Sequence, residues 1–173
     1  MASILRFDNW QNSDGTSIAT TDASGNISFA GAGAGKILQV VYGSTSTTVT
    51  SSSQTFVDTG LSVTITPSST ANNILVIVDH NGTFVSSAHI NNQLKFILLR
   101  DSTEIVKMTH AMGYQGTAGS LYPGTSGISF VDSPATTSAT TYKTQVANGH
   151  NGASVTVQQG NAVSTIVAME VSA

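Results

Sequence analysis

The feature that most constrains this chain is a two-residue alternation of apolar and polar side chains that recurs from Lys36 to the end. Leu61, Val63 and Ile65 alternate with Ser62, Thr64 and Thr66. Leu94, Phe96 and Leu98 alternate with Gln93, Lys95 and Ile97. Neighbouring side chains of a strand point to opposite faces, so this spacing predicts strands with one buried side. Residues 74–78 form an unbroken apolar run, the pattern of a strand covered on both sides. Arg100-Asp101-Ser102-Thr103 supplies turn residues before Ile105, Val106 and Met108, which reads as a hairpin. Further strands are expected at 37–42, 47–50, 128–131, 142–146, 155–157 and 163–171, and Pro67, Pro123 and Pro134 fall between them in expected turns. No stretch carries a helical stripe.

The expected fold is therefore all-β: a jelly-roll-like β-sandwich over residues 36–173, with an extended N-terminal arm. Two loops, 80–92 and 111–127, are longer than a compact sandwich needs. Loops of that length tend to carry function or to cover neighbours.

Composition narrows the partners. Charged residues make up 9% of the chain, far below the ordinary share of about 25%, and 24 Ser and 24 Thr take their place. Such a surface stays hydrated but generates almost no electrostatic field. A net charge of −3 and six scattered basic residues argue against a nucleic-acid partner, which requires a basic patch to neutralise phosphates. There is no Cys, so neither disulfides nor thiolate metal sites are available. The opening MASILRFDNW has no basic stretch leading into an apolar run, and nothing approaches the ~18 apolar residues of a membrane helix. The expectation is no membrane insertion, with assembly where the chain is made.

Residues 1–35 differ from the rest. Two apolar groups, Ile4, Leu5, Phe7 and Trp10, then Ile27 and Phe29, are separated by polar residues, and 31–35 read GAGAG, a flexible joint. Either this is a frayed terminus, or it is an arm that docks its aromatic residues on another protein. The second reading is preferred, because a lone Phe and Trp in a polar tail have nothing of their own to bury against. Ile4, Leu5, Phe7 and Trp10 are thus the candidate anchoring residues.

Catalytic signals are missing from the pattern. His80, His89, His110 and His150 lack the spacing of a metal site, and no Ser sits in a G-x-S-x-G elbow. Asp58 and Asp132 stand beside turn residues and read as turn formers rather than as a glycosidase pair. No metal, cofactor or catalytic residue is expected. The loop 111–127 does interleave Met112, Tyr114, Leu121 and Tyr122 with glycines. That composition suits either a receptor-binding loop or contact between subunits.

The segments KILQVVYGSTSTTV, FVDTGLSVTITPSSTANNILVIV, FILLRDSTEIV, VDSPATTSATTYKTQV and STIVAMEV resemble, in matching order over residues 36–173, a family of phage virion structural or tail-fibre-like proteins of marine and cyanobacterial phages. DASGNISFAG also looks like the β-turn repeat near the start of many phage fibre subunits. The resemblance implies a sandwich head group, a homotrimer, joined by its N-terminal segment to another virion protein of the capsid or tail, and no catalytic residues. The expected role is a short fibre or spike on the virion surface. It would be made in the host cytoplasm and used for adhesion to a host-surface glycan or protein. A capsid decoration protein is the alternative, and a depolymerase the remote one.

Overall fold

The computed structural model describes residues 9–21, 27–29, 35–86, 89, 91–113, 120–150 and 153–173. Two compact units divide the chain, Met1–Lys36 and Ile37–Ala173.

The described part of the first unit is an antiparallel meander of β1 (Asn9–Gln11), β2 (Ser17–Thr21) and β3 (Ile27–Phe29), in that spatial order. Asn12 and Asp14 both accept from the Thr16 amide, at 2.8 and 3.0 Å, and Gly15 at φ +84° completes the turn between β1 and β2. The arm expected from its polar composition thus carries a hydrogen-bonded ladder around the β-branched stretch Ser17–Thr21.

Among the described residues the second unit contains ten strands: β4 (Ile37–Thr45), β5 (Val49–Ser51), β6 (Val57–Ile65), β7 (Asn73–Val85), β8 (Leu94–Arg100), β9 (Thr103–Met112), β10 (Leu121–Asp132), β11 (Thr140–Asn148), β12 (Val155–Val157) and β13 (Ser164–Val171). Every pairing is antiparallel. Sheet 1 runs β4-β13-β7-β10, with β5 and β12 continuing β4 and β13. Sheet 2 runs β6-β11-β8-β9. Successive long strands thus alternate between the sheets except at the β8–β9 hairpin, which stays within sheet 2, the arrangement of a jelly roll.

Most of the expected strands form, and the differences have local causes. β7 runs on to Val85, well past the apolar run that marked it, because its partner β10 pairs with it along that whole length. The expected loop 80–92 is correspondingly short. Pro123 lies inside β10 and not in a turn, at a bulge shared with Gly124 where the ladder is already broken. Asp101, at φ +54°, closes the expected β8–β9 hairpin.

β12 and β13 read as one strand interrupted. Val155 faces Val85 and Thr165 faces Asp79, so ten steps of one chain match six of β7. The surplus is taken up by a short 3-10 turn, Gln159–Asn161. It rests on Gly82 (φ +61°), where a Cβ would come within 2.7 Å of the Gln159 backbone. β4 and β5 break at the same level, across residues 46–48.

At that level the core changes character. One apolar cluster joins Leu61, Val63, Ile65, Ile74, Val76, Val78, Leu98, Tyr142, Ile166 and Ala168. A second joins Val85, Leu94, Phe96, Val146, Val155 and Val157. Between them runs a buried polar row. Thr59 and Thr144 share a hydrogen bond at 2.6 Å, and Thr144 Oγ1 lies 2.8 Å from His80 Nε2. The Gln158 amide is satisfied when its nitrogen donates to the Val157 and Thr47 carbonyls and its oxygen accepts from His80 Nδ1 and Ser164 Oγ. His80 is then neutral, donating from Nδ1 and accepting at Nε2 from the Thr144 hydroxyl. Burial drives its pKa down to about 4, and its ring stacks on Phe96 at 4.5 Å. The row links sheet 1 to sheet 2 through the middle of the sandwich.

Candidate functional site: the outer faces of the sandwich

Strand periodicity fixes what each sheet shows to the outside. On sheet 1, Val41, Ile74, Val76, Val78, Ile128, Phe130, Ile166 and Ala168 turn inward to the core. Their neighbours therefore turn out. The ladder register sets Tyr42, Val167, Ile77 and Ser129 in one outward row. Val40, Met169, Leu75 and Val131 form the next row. Tyr42 is 61% exposed, Val40 55% and Val131 59%. A third row, Ser44, Thr165, Asp79 and Gly127, is polar and holds the one charged side chain on this outward ladder. The other two carboxylates of sheet 1, Asp132 and Glu170, share the parity of inward residues and are buried.

Sheet 2 is the reverse. Its outward positions include Ser62, Thr64, Thr141, Lys143, Gln145 and Asp58, with Ile97 and Leu99 of β8 in the same rows but buried. All four basic residues of this unit (Lys95, Arg100, Lys107 and Lys143) lie on its strands. Asp58 sits within β6, not in the turn expected of it, and accepts from Gln145 at 2.7 Å and Lys143 at 3.1 Å. Those bonds, Gln145's first, hold its carboxyl below the usual range against the opposing effect of burial. Thr64 and Thr141 share a cross-strand hydroxyl bond of 2.9 Å.

The sheets are tied at their ends by buried carboxylates. Asp132, also expected as a turn former, takes both oxygens to Arg100 Nη1 at 2.9 Å and accepts from the Tyr142 hydroxyl at 2.7 Å. Burial and then the Asp132 bond push the Tyr142 hydroxyl well above its usual pKa. Burial should raise the pKa of Glu170, but bonds from Asn72, Gln39 and Ser68 at 2.6–2.7 Å outweigh it and hold the carboxyl at about 2. Gly43 marks where the sheet edges meet: a Cβ there would collide with the Ser62 carbonyl of β6.

The residues singled out from sequence scatter. Trp10 lies on β1, 58% exposed, opposite Ala19. Ile4, Leu5, Phe7 and Tyr114 lie outside the described residues, as does the side chain of Tyr122. Met112 and Leu121 are partly buried and pack on the second apolar cluster, so much of their surface is committed to the core rather than offered to a partner. The outward residues of sheet 1 were not picked out by sequence. The run 74–78 signalled them: it anticipated a cover on both faces of β7, and within this chain the described residues cover only the inner one.

Among the described residues, no group of three or more His, Asp or Glu side chains converges as a metal site. His89 and His150 stack at 3.5 Å, and no helix is long and apolar enough to cross a membrane.

No family model matches the sequence, and no curated protein is similar to it. Solved structures do resemble the fold. The VP2 subviral particle of infectious bursal disease virus matches 78% of this chain and 39% of its own at 11% identity, with a TM-score of 0.42. The structure of that virus's Gx strain matches 86% of this chain and 39% of its own at 12% identity, with a TM-score of 0.44. The chain thus spans about two-fifths of the length of these neighbours. So distant a likeness carries no argument about function.

Proposed function

We propose that this chain is a non-enzymatic structural protein of a phage particle surface, anchored by its N-terminal unit and displaying the sandwich as a short fibre or spike. One observation carries this: the sandwich has one bare apolar face and one hydrated, charged face. A solitary soluble protein needs only hydrated faces. A subunit of an assembly needs one face of each kind. The resemblance of residues 36–173 to phage virion proteins supports the particle as the setting. The exposure of Trp10 supports anchoring through the arm, with Ile4, Leu5 and Phe7 beside it in sequence.

Adhesion to a host-surface glycan or protein is the use we favour for the displayed unit. Capsid decoration is the second reading, because an exposed apolar face could also lie on coat subunits. Particles with and without the protein separate them. Slower adsorption with unchanged heat stability supports adhesion. Normal adsorption with rupture at lower temperature replaces it with decoration. Absence of the protein from purified particles overturns both.

A further inference from the structure

We propose that the outer face of sheet 1 is where one copy of this chain packs against another. The inference deepens the reading of the chain as an assembly subunit, and names its partner on this face.

The face is large and dry. The rows Tyr42–Val167–Ile77 and Val40–Met169–Leu75–Val131, with the exposures of Tyr42, Val40 and Val131, leave on the order of 500 Å² of contiguous apolar surface. That lies at the upper end of what a solitary soluble protein shows, and it approaches the roughly 800 Å² that each partner gives to a standard interface. Tyr, Met and branched aliphatic residues are also what the centre of such interfaces is made of.

Charge then selects the occupant. The two rows carry no charged side chain, and Asp79 stands on the polar row beside them. Two copies brought together over these rows bring no like charges into register. The basic strands of sheet 2 remain on the far side of each copy, in water. An uncharged apolar ladder is complementary to itself, whereas a polar or charged partner would strand its own groups against it.

The edge of the sheet narrows the geometry. Among the described residues β4 has no ladder partner but β13, yet its outer side lies against β6: a Cβ on Gly43 would collide with the Ser62 carbonyl, and Gln39 donates to the Thr66 carbonyl at 2.7 Å. Leu38, Val40 and Tyr42 stand exposed on the outer face beside it. The neighbouring copy therefore covers the face rather than the edge.

The test uses the full chain. Sedimentation from about 1 to 100 µM should show an oligomer that dissociates on dilution. Tyr42→Lys with Val131→Lys should weaken association at least tenfold, because the pair places a charge at each side of the patch, at positions already exposed. Thr64→Lys, on the outer face of sheet 2, should leave association unchanged. A wild-type monomer across the range overturns the proposal, as does an oligomer that Thr64→Lys breaks and the patch variant does not. If the double variant fails to fold, hydroxyl-radical oxidation of wild-type Tyr42 and Met169 replaces it. Slower oxidation in the concentrated sample supports the proposal, and equal rates overturn it. A monomer in solution that is still incorporated into particles overturns this interface while leaving the proposed function standing.

Discussion

The two outer faces of the sandwich are built from the same alternating pattern, yet only one of them is finished. On sheet 2 the exposed outward positions are Ser, Thr, Lys, Gln and Asp, joined by cross-strand bonds such as Thr64–Thr141 and Asp58–Lys143, and the two apolar outward residues Ile97 and Leu99 are buried among their neighbours. On sheet 1 the equivalent positions are Tyr42, Val40, Ile77, Leu75, Val167, Met169 and Val131. Inward residues do not distinguish the sheets, since both feed the same two clusters. The difference lies wholly in what faces away from the core. It teaches that burial inside one subunit accounts for only part of the apolar residues of sheet 1, and the proposed interface for the outward ones.

The contrast exists only while the sheets are held edge to edge, and the largest effect should come from forcing them apart. Gly43→Ala places a methyl on the Ser62 carbonyl, a backbone atom that has nowhere to go. It should cost about 3 kcal/mol or more, read from chemical denaturation. An undiminished midpoint would mean that the edges are not in contact at Gly43.

Acid should loosen the link between the sheets next. His80 takes a proton at about 4 in the folded chain but near 6.5 when unfolded. The unfolded state therefore binds more protons between those values. Stability from this group is complete above about 6.5 and falls as the pH drops toward 4. A 2.5-unit difference corresponds to about 3 kcal/mol. Glu170, held at about 2 against a usual 4.5, adds to the loss below pH 4.5. Denaturation midpoints across pH 4–7 check this. A flat profile from 6.5 to 4.5 would contradict the buried neutral imidazole.

Thr144→Val removes the hydroxyl that bridges His80 and Thr59 and leaves both facing a methyl. A loss of about 2 kcal/mol is expected, with the thermal midpoint as the readout. The smallest effect belongs to the hydrated face. Lys143→Ala removes a surface ion pair and should cost no more than about 0.5 kcal/mol, and less as salt rises. A larger, salt-independent loss would show that sheet 2 is also an interface.

Much of the fold was legible from the period of two. The strand at 61–65, the hairpin closed by Asp101 and the terminal strand all form where their alternation places them. The polar row was visible in the same pattern but easily passed over. Thr59, His80 and Thr144 each occupy an inward slot, in step with Leu61, Val78 and Tyr142. A polar residue in such a slot must find a partner across the core, and no local sequence names that partner. Asp58 and Asp132 were misread for the same reason: adjacency to Gly and Pro suggested turns, while their partners Lys143 and Arg100 are distant in sequence. The outer face of sheet 1 needed the pairing order. Val40, Leu75, Val131 and Met169 become one row only when β4, β13, β7 and β10 lie side by side.

The most direct test of the bare face uses the absence of cysteine from this chain. Single thiols introduced as Tyr42→Cys and Thr64→Cys would report on sheets 1 and 2 separately. Their rates of reaction with a maleimide would be measured in the dilute protein and in the concentrated assembly. The expected result is at least tenfold slower labelling of Tyr42→Cys on assembly, with Thr64→Cys unchanged. Equal rates at position 42 in both states, or slowing confined to position 64, would contradict it.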